Sequence, residues 1–317
     1  MAAPSDTIRA ARLTEHGRPL RVEEVPLGEP GDDEVVVDLA FGGINPVDTY
    51  IAAGRVAPNG PLPRTLGGEA AGFVDGRAVL VAGEQLGSAR DGLWAEAAIV
   101  PRAAIIDLPE GVEPRDAAAM GIAGLTALNC VRRLGRVGPE DRVVVLGASG
   151  GVGSMIVSLA HAAGATVWGQ TGSEHKAAGI TQMGAARVLV GDGRQIAAEL
   201  AEFEPTVAFD PLGDGFVAPL VEAVAVRGRI VAFGTSAGAE VTFNMQQLYR
   251  KMVSLLGYAG MQITRDERRP GLQEALNALR SGDLRVRVDE VLALDQVNEA
   301  FARLADRRVQ GKLLLEL

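Results

Sequence analysis

The residues whose types and spacing could do chemistry are densest in Val143-Val144-Val145-Leu146-Gly147-Ala148-Ser149-Gly150-Gly151-Val152-Gly153. A continuous apolar run leads into backbone almost free of side chains, which then opens a helical pattern. That is the order a phosphate-binding turn requires. Glycine lets the main chain approach a diphosphate, and the N–H groups that begin a helix favour its negative charge. Ser149, Gly150, Gly151, Val152 and Gly153 are therefore candidate dinucleotide-binding residues. The register is Ala148-x-Gly150-x-x-Gly153, with alanine where the common fingerprint has its first glycine. A tight turn holding no ligand is the bland alternative, and the strand before it and helix after it weigh against that.

An NAD-specific site places a carboxylate about 20 residues past the turn, on the ribose 2′-hydroxyl. Here the segment reads Gly169-Gln170-Thr171-Gly172-Ser173-Glu174-His175-Lys176. Gln170 and Thr171 are neutral, while the Ser173 hydroxyl and the Lys176 ammonium suit a 2′-phosphate. NADPH is expected over NADH. Glu174 is discordant, because facing the ribose it would repel that phosphate. A helix cap at Ser173 and a solvated Lys176 are the competing readings.

Such a turn needs a doubly covered parallel sheet to hold it. From the run 142–146 the chain alternates helical and strand patterns: 152–163, 166–169, 175–183, 187–190, 195–202, 206–209, 216–225 and 229–233. This βαβ rhythm implies an open parallel sheet with right-handed crossovers. Before residue 116, segments 34–40, 78–82 and 97–100 are short, β-leaning and bounded by Gly, Pro or Asp, which indicates a mainly β domain. Asp116 is placed to cap a helix over 117–134, with Gly135 just past its end. Beyond Gly257 come a helix (271–281), a strand (286–288), a helix (294–306) and a strand (312–317). That tail is too short to stand alone and is expected to rejoin the first domain. The division expected is 1–118, 119–257 and 258–317, the middle part being a doubly wound sheet domain inserted into the mainly β one.

Bulk properties narrow the function. With 47% apolar and 22% charged residues the chain is of globular composition. A net charge of −9 disfavours nucleic acid and anionic membrane as partners. One cysteine, Cys130, permits no internal disulfide and fits a reducing compartment. The opening Met1-Ala2-Ala3-Pro4-Ser5-Asp6 lacks a secretory signal's basic and apolar regions, and no apolar run is long enough for a membrane span. A cytoplasmic location is the expectation.

Several motifs converge on one family. Gly43-Ile44-Asn45-Pro46-Val47-Asp48-Thr49-Tyr50, Leu66-Gly67-Gly68-Glu69-Ala70-Ala71-Gly72, Gly124-Leu125-Thr126-Ala127, the glycine turn, Gly228–Gly234 (GRIVAFG) and Gln310-Gly311-Lys312-Leu313 occur in order along nearly the whole chain. Together they resemble the medium-chain dehydrogenase/reductase superfamily, and within it the zinc-free quinone oxidoreductase (ζ-crystallin-like) branch. The resemblance implies a GroES-like catalytic domain, a Rossmann domain, and a cleft between them for nicotinamide and substrate. It implies that Asn45 and Asp48 line the nicotinamide end, that Tyr50 projects toward substrate, and that Thr126, Phe233 and Gly234 belong to the cofactor site. It also implies a homodimer joined through Rossmann edge strands, here 240–243 with the following 246–258.

Departures from the superfamily carry information. Zinc-dependent members have a cysteine in the segment aligned with Gly43-Ile44-Asn45 and a histidine where this chain has Gly68. With three histidines (His16, His161, His175) and one cysteine, neither a catalytic nor a four-cysteine zinc site assembles in the usual way, so no metal is expected. A tyrosine that other quinone reductases use near the 2′-phosphate would fall around Gly191 and is absent. Without a Lewis acid for an alkoxide, alcohol oxidation gives way to acceptors that need little activation, namely quinones and α,β-unsaturated carbonyls. Tyr50 is the candidate proton donor, against water and against a mere pocket wall. Asn45 competes with a turn-forming role before Pro46, and Glu69 with a structural carboxylate held by backbone or Arg. Cys130 reads as a packed thiol and His161 as structural or surface, while Trp94 and Tyr258 are candidate cleft walls. Two further functions stay open: an ene or enoyl reductase of a biosynthetic intermediate, and an NADPH-binding structural or sensory protein with little turnover.

Overall fold

Valine-rich segments of the first hundred residues pair into antiparallel sheets, and those of the middle stack in parallel. The computed structural model describes residues 7–317; the N-terminal residues read above for a secretory signal lie outside them. The chain divides into two compact units, one of residues up to 123 with 264–280 and 288–317, the other of 124–263 with 281–287.

The first unit opens with β1 (Thr7–Leu13), β2 (Arg21–Pro26), β3 (Glu34–Ile44), α1 (Pro46–Ala52), β4 (Arg64–Thr65), β5 (Glu69–Val74), β6 (Arg77–Ala82), β7 (Ala97–Pro101) and β8 (Ile105–Asp107). Helix α2 (Pro114–Leu128) carries the chain across the boundary at residue 123. It starts at a proline, the residue best tolerated in a first turn. Asp116 therefore lies inside that turn and is not the cap expected above. The helix also does not run uniformly to Leu134, because Asn129–Leu134 widens into a π-helical segment.

In the second unit follow β9 (Arg142–Val145), α3 (Gly151–Ala162), β10 (Thr166–Thr171), α4 (Ala177–Gln182), β11 (Arg187–Val190), α5 (Ala197–Phe203), β12 (Val207–Asp210), α6 (Val217–Ala223), β13 (Arg229–Ala232), α7 (Met245–Arg250) and β14 (Ser254–Gly257). The strands form one parallel sheet in the order β11-β10-β9-β12-β13-β14, a Rossmann arrangement. Its core includes Val144, Leu146, Ala208, Leu220 and Ile230. The order reverses between β9 and β12, so the ligand-binding crevice of such sheets belongs at their C-terminal ends. Of the expected edge, 240–243 forms no strand and leads irregularly into α7, whereas 246–258 contains β14, the edge strand, paired with β13 through Ile230 and Leu255. Asn244 explains that break, its side chain capping α7 by accepting from the Gln246 N–H at 2.9 Å.

The chain then returns to the first unit with α8 (Arg265–Ser281), β15 (Val288–Ala293), α9 (Val297–Ala305) and β16 (Lys312–Glu316). β16 pairs antiparallel with β3 in a GroES-like sheet ordered β15-β16-β3-β5-β6-β8. Strand β15 begins at Val288, where the expected one ended. Helix α8 starts six residues before the expected 271 because Thr264-x-x-Glu267 forms a capping box: Glu267 accepts from the Thr264 N–H at 2.9 Å and Thr264 Oγ1 accepts from the Glu267 N–H at 3.3 Å. Among the described residues no helix is long and apolar enough to cross a membrane. Thr264→Ala is expected to cost about 1 kcal/mol of stability through loss of this cap, read by denaturant unfolding.

Candidate active site

The glycine turn lies between the end of β9 and the start of α3. Gly147 sits at φ +58°, a left-handed conformation glycine adopts without strain. Gly153 is held by proximity, since a Cβ there would come 2.3 Å from the Gly147 carbonyl oxygen. Gly150 differs: a Cβ on it would meet nothing closer than that same oxygen at 3.4 Å. The first intrahelical bond runs from the Ser154 N–H to the Gly150 carbonyl, so the N–H groups of Gly151, Val152 and Gly153 have no partner within the helix. The turn thus combines open space above Gly150 with oriented donors, the environment a diphosphate needs.

Gln170 and Thr171 brace this turn. Gln170 is buried; its Oε1 accepts from the Gly147 N–H at 2.9 Å and its Nε2 donates to the Gly191 carbonyl at 2.6 Å. Its neutrality therefore serves the turn first. Thr171 lies 3.5 Å, oxygen to oxygen, from Ser149. Ser173 precedes a short 3-10 turn at Glu174–Lys176, without a side-chain cap bond. Lys176 is only 6% exposed, which replaces the solvated side chain of the competing reading with a buried one. Glu174 faces solvent. Gly191 has φ +140° and is crowded by Gln195, so a side chain would be strained there. Phe233 and Gly234 follow β13 directly, the Phe233 N–H donating to the Asp210 carbonyl at 2.9 Å. Thr126, in the second half of α2, is half-buried.

In the first unit, strand register assembles a polar cluster. Ile44 pairs with Leu313 and Gly42 with Ala70, which brings Asn45, just past β3 at the cap of α1, close to Lys312 and Glu69 at the starts of β16 and β5. All three are buried, as is Asp48. Lys312 Nζ donates to Glu69 Oε1 at 2.8 Å and to Asn45 Oδ1 at 2.6 Å, while Asn45 Nδ2 donates to Glu69 Oε1 at 2.6 Å. Glu69 Oε2 accepts from the backbone N–H of Ile122. Gly43 and Gly121 leave the space for this carboxylate, for a Cβ on either would come within 2.3 Å or 2.5 Å of its oxygens. Asp48 accepts from the Asn45 N–H at 2.8 Å, at the start of α1. Burial pushes its carboxyl up to about 7; the negative charge of Glu69 adds to this, and the Asn45 bond and Lys312 oppose it.

The remaining candidates separate. Tyr50 is 36% exposed, with the Arg55 guanidinium 5.1 Å from its ring centre. Trp94 is wholly buried, its Nε1 donating to the Gly43 carbonyl at 3.2 Å, so it packs the core and walls no cleft. Tyr258 is half-buried, its hydroxyl 3.4 Å from the Asn129 amide nitrogen. Cys130 is buried and its thiol is pushed up by burial, as a packed thiol should be. Among the described residues no three of His, Cys, Asp and Glu gather as metal ligands would. Sequence reasoning missed Lys312 as a member of the cluster; its signal was an ammonium heading the otherwise apolar strand KLLLE.

A family model described as zinc-binding dehydrogenase matches residues 151–277. Quinone oxidoreductase 1 of Escherichia coli is 31% identical over 322 residues, covering 95% of this chain and 97% of that protein. The chain belongs to the quinone oxidoreductase branch of the medium-chain dehydrogenase/reductase superfamily. The YhfP protein of Bacillus subtilis, whose name also carries the quinone oxidoreductase title, is 30% identical over 320 residues, covering 95% and 94%. Its crystal structure with NAD bound matches with a TM-score of 0.83 at 26% identity, covering 99% of this chain and 100% of that one. A mycobacterial structure, Rv1454c complexed with NADPH, matches at 0.85 and 25%, covering 98% and 100%. The segment of this oxidoreductase matched by the zinc-binding dehydrogenase model contains no cysteine and two histidines, His161 and His175.

Asp48 gives this branch member a testable pH signature. Its carboxyl ionises near 4 in the unfolded chain and near 7 when folded. Between those values the folded state binds more protons, so the contribution of Asp48 to stability falls as pH rises, by at most ~1.4 kcal/mol per pH unit. Asp48→Asn keeps an oxygen for the Asn45 N–H and removes the charge. The variant is expected to flatten that slope and to exceed the parent in stability at pH 8, measured by denaturant unfolding across pH 4–8.

Proposed function

We propose that this chain is a zinc-independent oxidoreductase that uses NADPH, with NADH a poorer cofactor, to transfer hydride to a quinone or another conjugated carbonyl. The observation that carries the reading is the turn 147–153: open above Gly150, lined by free helix N–H groups, and set at the end of β9 where the strand order reverses. Ser149, Gly150, Gly151, Val152 and Gly153 would hold the diphosphate, and Thr126, Phe233 and Gly234 the remainder of the dinucleotide. Thr171, Ser173 and Lys176 would face the adenosine ribose, where no carboxylate but Glu174 competes with a 2′-phosphate. Bound nicotinamide supplies the hydride chemistry; the chain supplies position and electrostatics. Asn45 and Asp48 would serve the reacting end, with Tyr50 as hydrogen-bond donor to the acceptor. In this reading the GroES-like unit is catalytic and the Rossmann unit binds the cofactor. The protein acts in the cytoplasm as a homodimer, with neither nucleic acid nor membrane as partner.

Gly150→Val tests the turn. The space above Gly150 admits the side chain, so the variant is expected to keep the parent's Tm while losing NADPH binding by calorimetry; retained affinity would remove the diphosphate from this turn. Lys176→Ala is expected to weaken NADPH much more than NADH, and equal losses would remove the 2′-phosphate assignment. Following NADPH absorbance with a simple quinone and a simple enone ranks the acceptors; tight binding without consumption of either would make the protein a nucleotide sensor instead.

A further inference from the structure

We propose that Lys312 and Glu69 are positioning residues that fix the orientation of the Asn45 carboxamide, so that one Nδ2–H of Asn45 becomes a directed donor to a carbonyl oxygen of the bound reactants. This rests on the reading that Asn45 serves the reacting end of the nicotinamide. An ammonium has only donors and an ionised carboxylate only acceptors. Lys312 Nζ at 2.6 Å therefore dictates that the near atom of Asn45 is Oδ1, and Glu69 Oε1 at 2.6 Å dictates that the other is Nδ2. Turning the amide over would set N–H against ammonium and oxygen against carboxylate, two repulsions in a site shielded from water. A free asparagine amide has no such preference. One Nδ2 hydrogen is committed to Glu69, and the second has no partner among the described residues.

The construction is hard to explain by stability. A buried ion pair is commonly no better than apolar residues of similar volume, because desolvation offsets the attraction. Yet the chain gives up a side chain at Gly121 to seat this carboxylate, has a glycine at 43 where both it and the Ala118 carbonyl approach, and takes the Ile122 N–H to steady its other oxygen. Lys312 comes from the last strand and Asn45 lies 267 residues earlier, so the pairing of β16 with β3 delivers the cation to the amide.

Replacing the pair with neutral residues separates positioning from support. Lys312→Met alone leaves Glu69 buried and unpaired, and Tm is expected to fall by roughly 10 °C. Adding Glu69→Gln removes the stranded charge and is expected to restore most of that loss, but a glutamine can face either end of Asn45. The double variant should then show kcat or cofactor affinity lowered by about 10- to 100-fold, the scale of a small misplacement at a reacting centre. A loss in NADPH Kd would make the cofactor's carboxamide the recipient; a loss in kcat with Kd unchanged would make it the acceptor's carbonyl. A readout independent of turnover comes from selective ¹⁵N labelling of asparagine, with the Asn45 signal assigned by its absence in Asn45→Ser. In the parent the Nδ2 proton bonded to Glu69 should exchange with solvent much more slowly than the other, and this difference should vanish in the double variant. A parent whose two protons exchange alike, or a double variant with the parent's kcat, Kd and spectrum, would overturn the proposal. Failure of the parent to turn over any acceptor would instead overturn the functional reading, and leave the amide signal to judge the positioning.

Discussion

A carboxylate sealed from water has to be answered by the residues around it, and in this protein that carboxylate is Glu69. Removing its cation would cost about 3–5 kcal/mol, more than most single contacts in a domain. Several features of the first unit answer to it: the glycines at 43 and 121, the ammonium at the head of β16, and the register that brings β16, β3 and β5 together. Return of the chain's end to the first unit is therefore an electrostatic requirement as well as a way to complete a sheet.

The second unit is organised by a different constraint, close approach of backbone to backbone. Gly153 packs against Gly147, and Gln170 ties the turn to the end of β11 through Gly191. Gln170 shows how one residue can answer two questions. Its lack of charge suits a cofactor carrying a 2′-phosphate, while its two hydrogen bonds hold the turn in shape. Gly150 is spared from such packing, so nothing in the fold itself requires a glycine there.

The first unit carries two features of its own. Gly68 stands where the resemblance to zinc-dependent members implies a histidine, and the buried polar groups nearby gather around Lys312, which donates to both Asn45 and Glu69. Asp48, pushed up to about 7 by burial, adds a group that changes charge near neutrality inside that cluster. Its distance from water makes its proton a property of the fold.

Much of this was legible in the residues. The apolar run before the glycine turn, the βαβ rhythm after it and the order of family motifs fixed the two architectures, because strand burial and helix periodicity are local patterns. Helix boundaries and the sheet edge were less legible: the capping box at Thr264 and the cap at Asn244 lie just outside the apolar patterns that mark helices. The pair Gly42-Gly43 continues β3, and what those glycines accommodate, Trp94 and Glu69, comes from elsewhere in the chain. Sequence alone determined the family, the turn and the residue types at the site. Tertiary structure decided which of them meet: Trp94 went to the core, Lys176 was buried, and Lys312 joined Asn45 and Glu69. The meeting of Lys312 with Asn45 and Glu69 depends on strand register between segments more than two hundred residues apart, which no local spacing encodes.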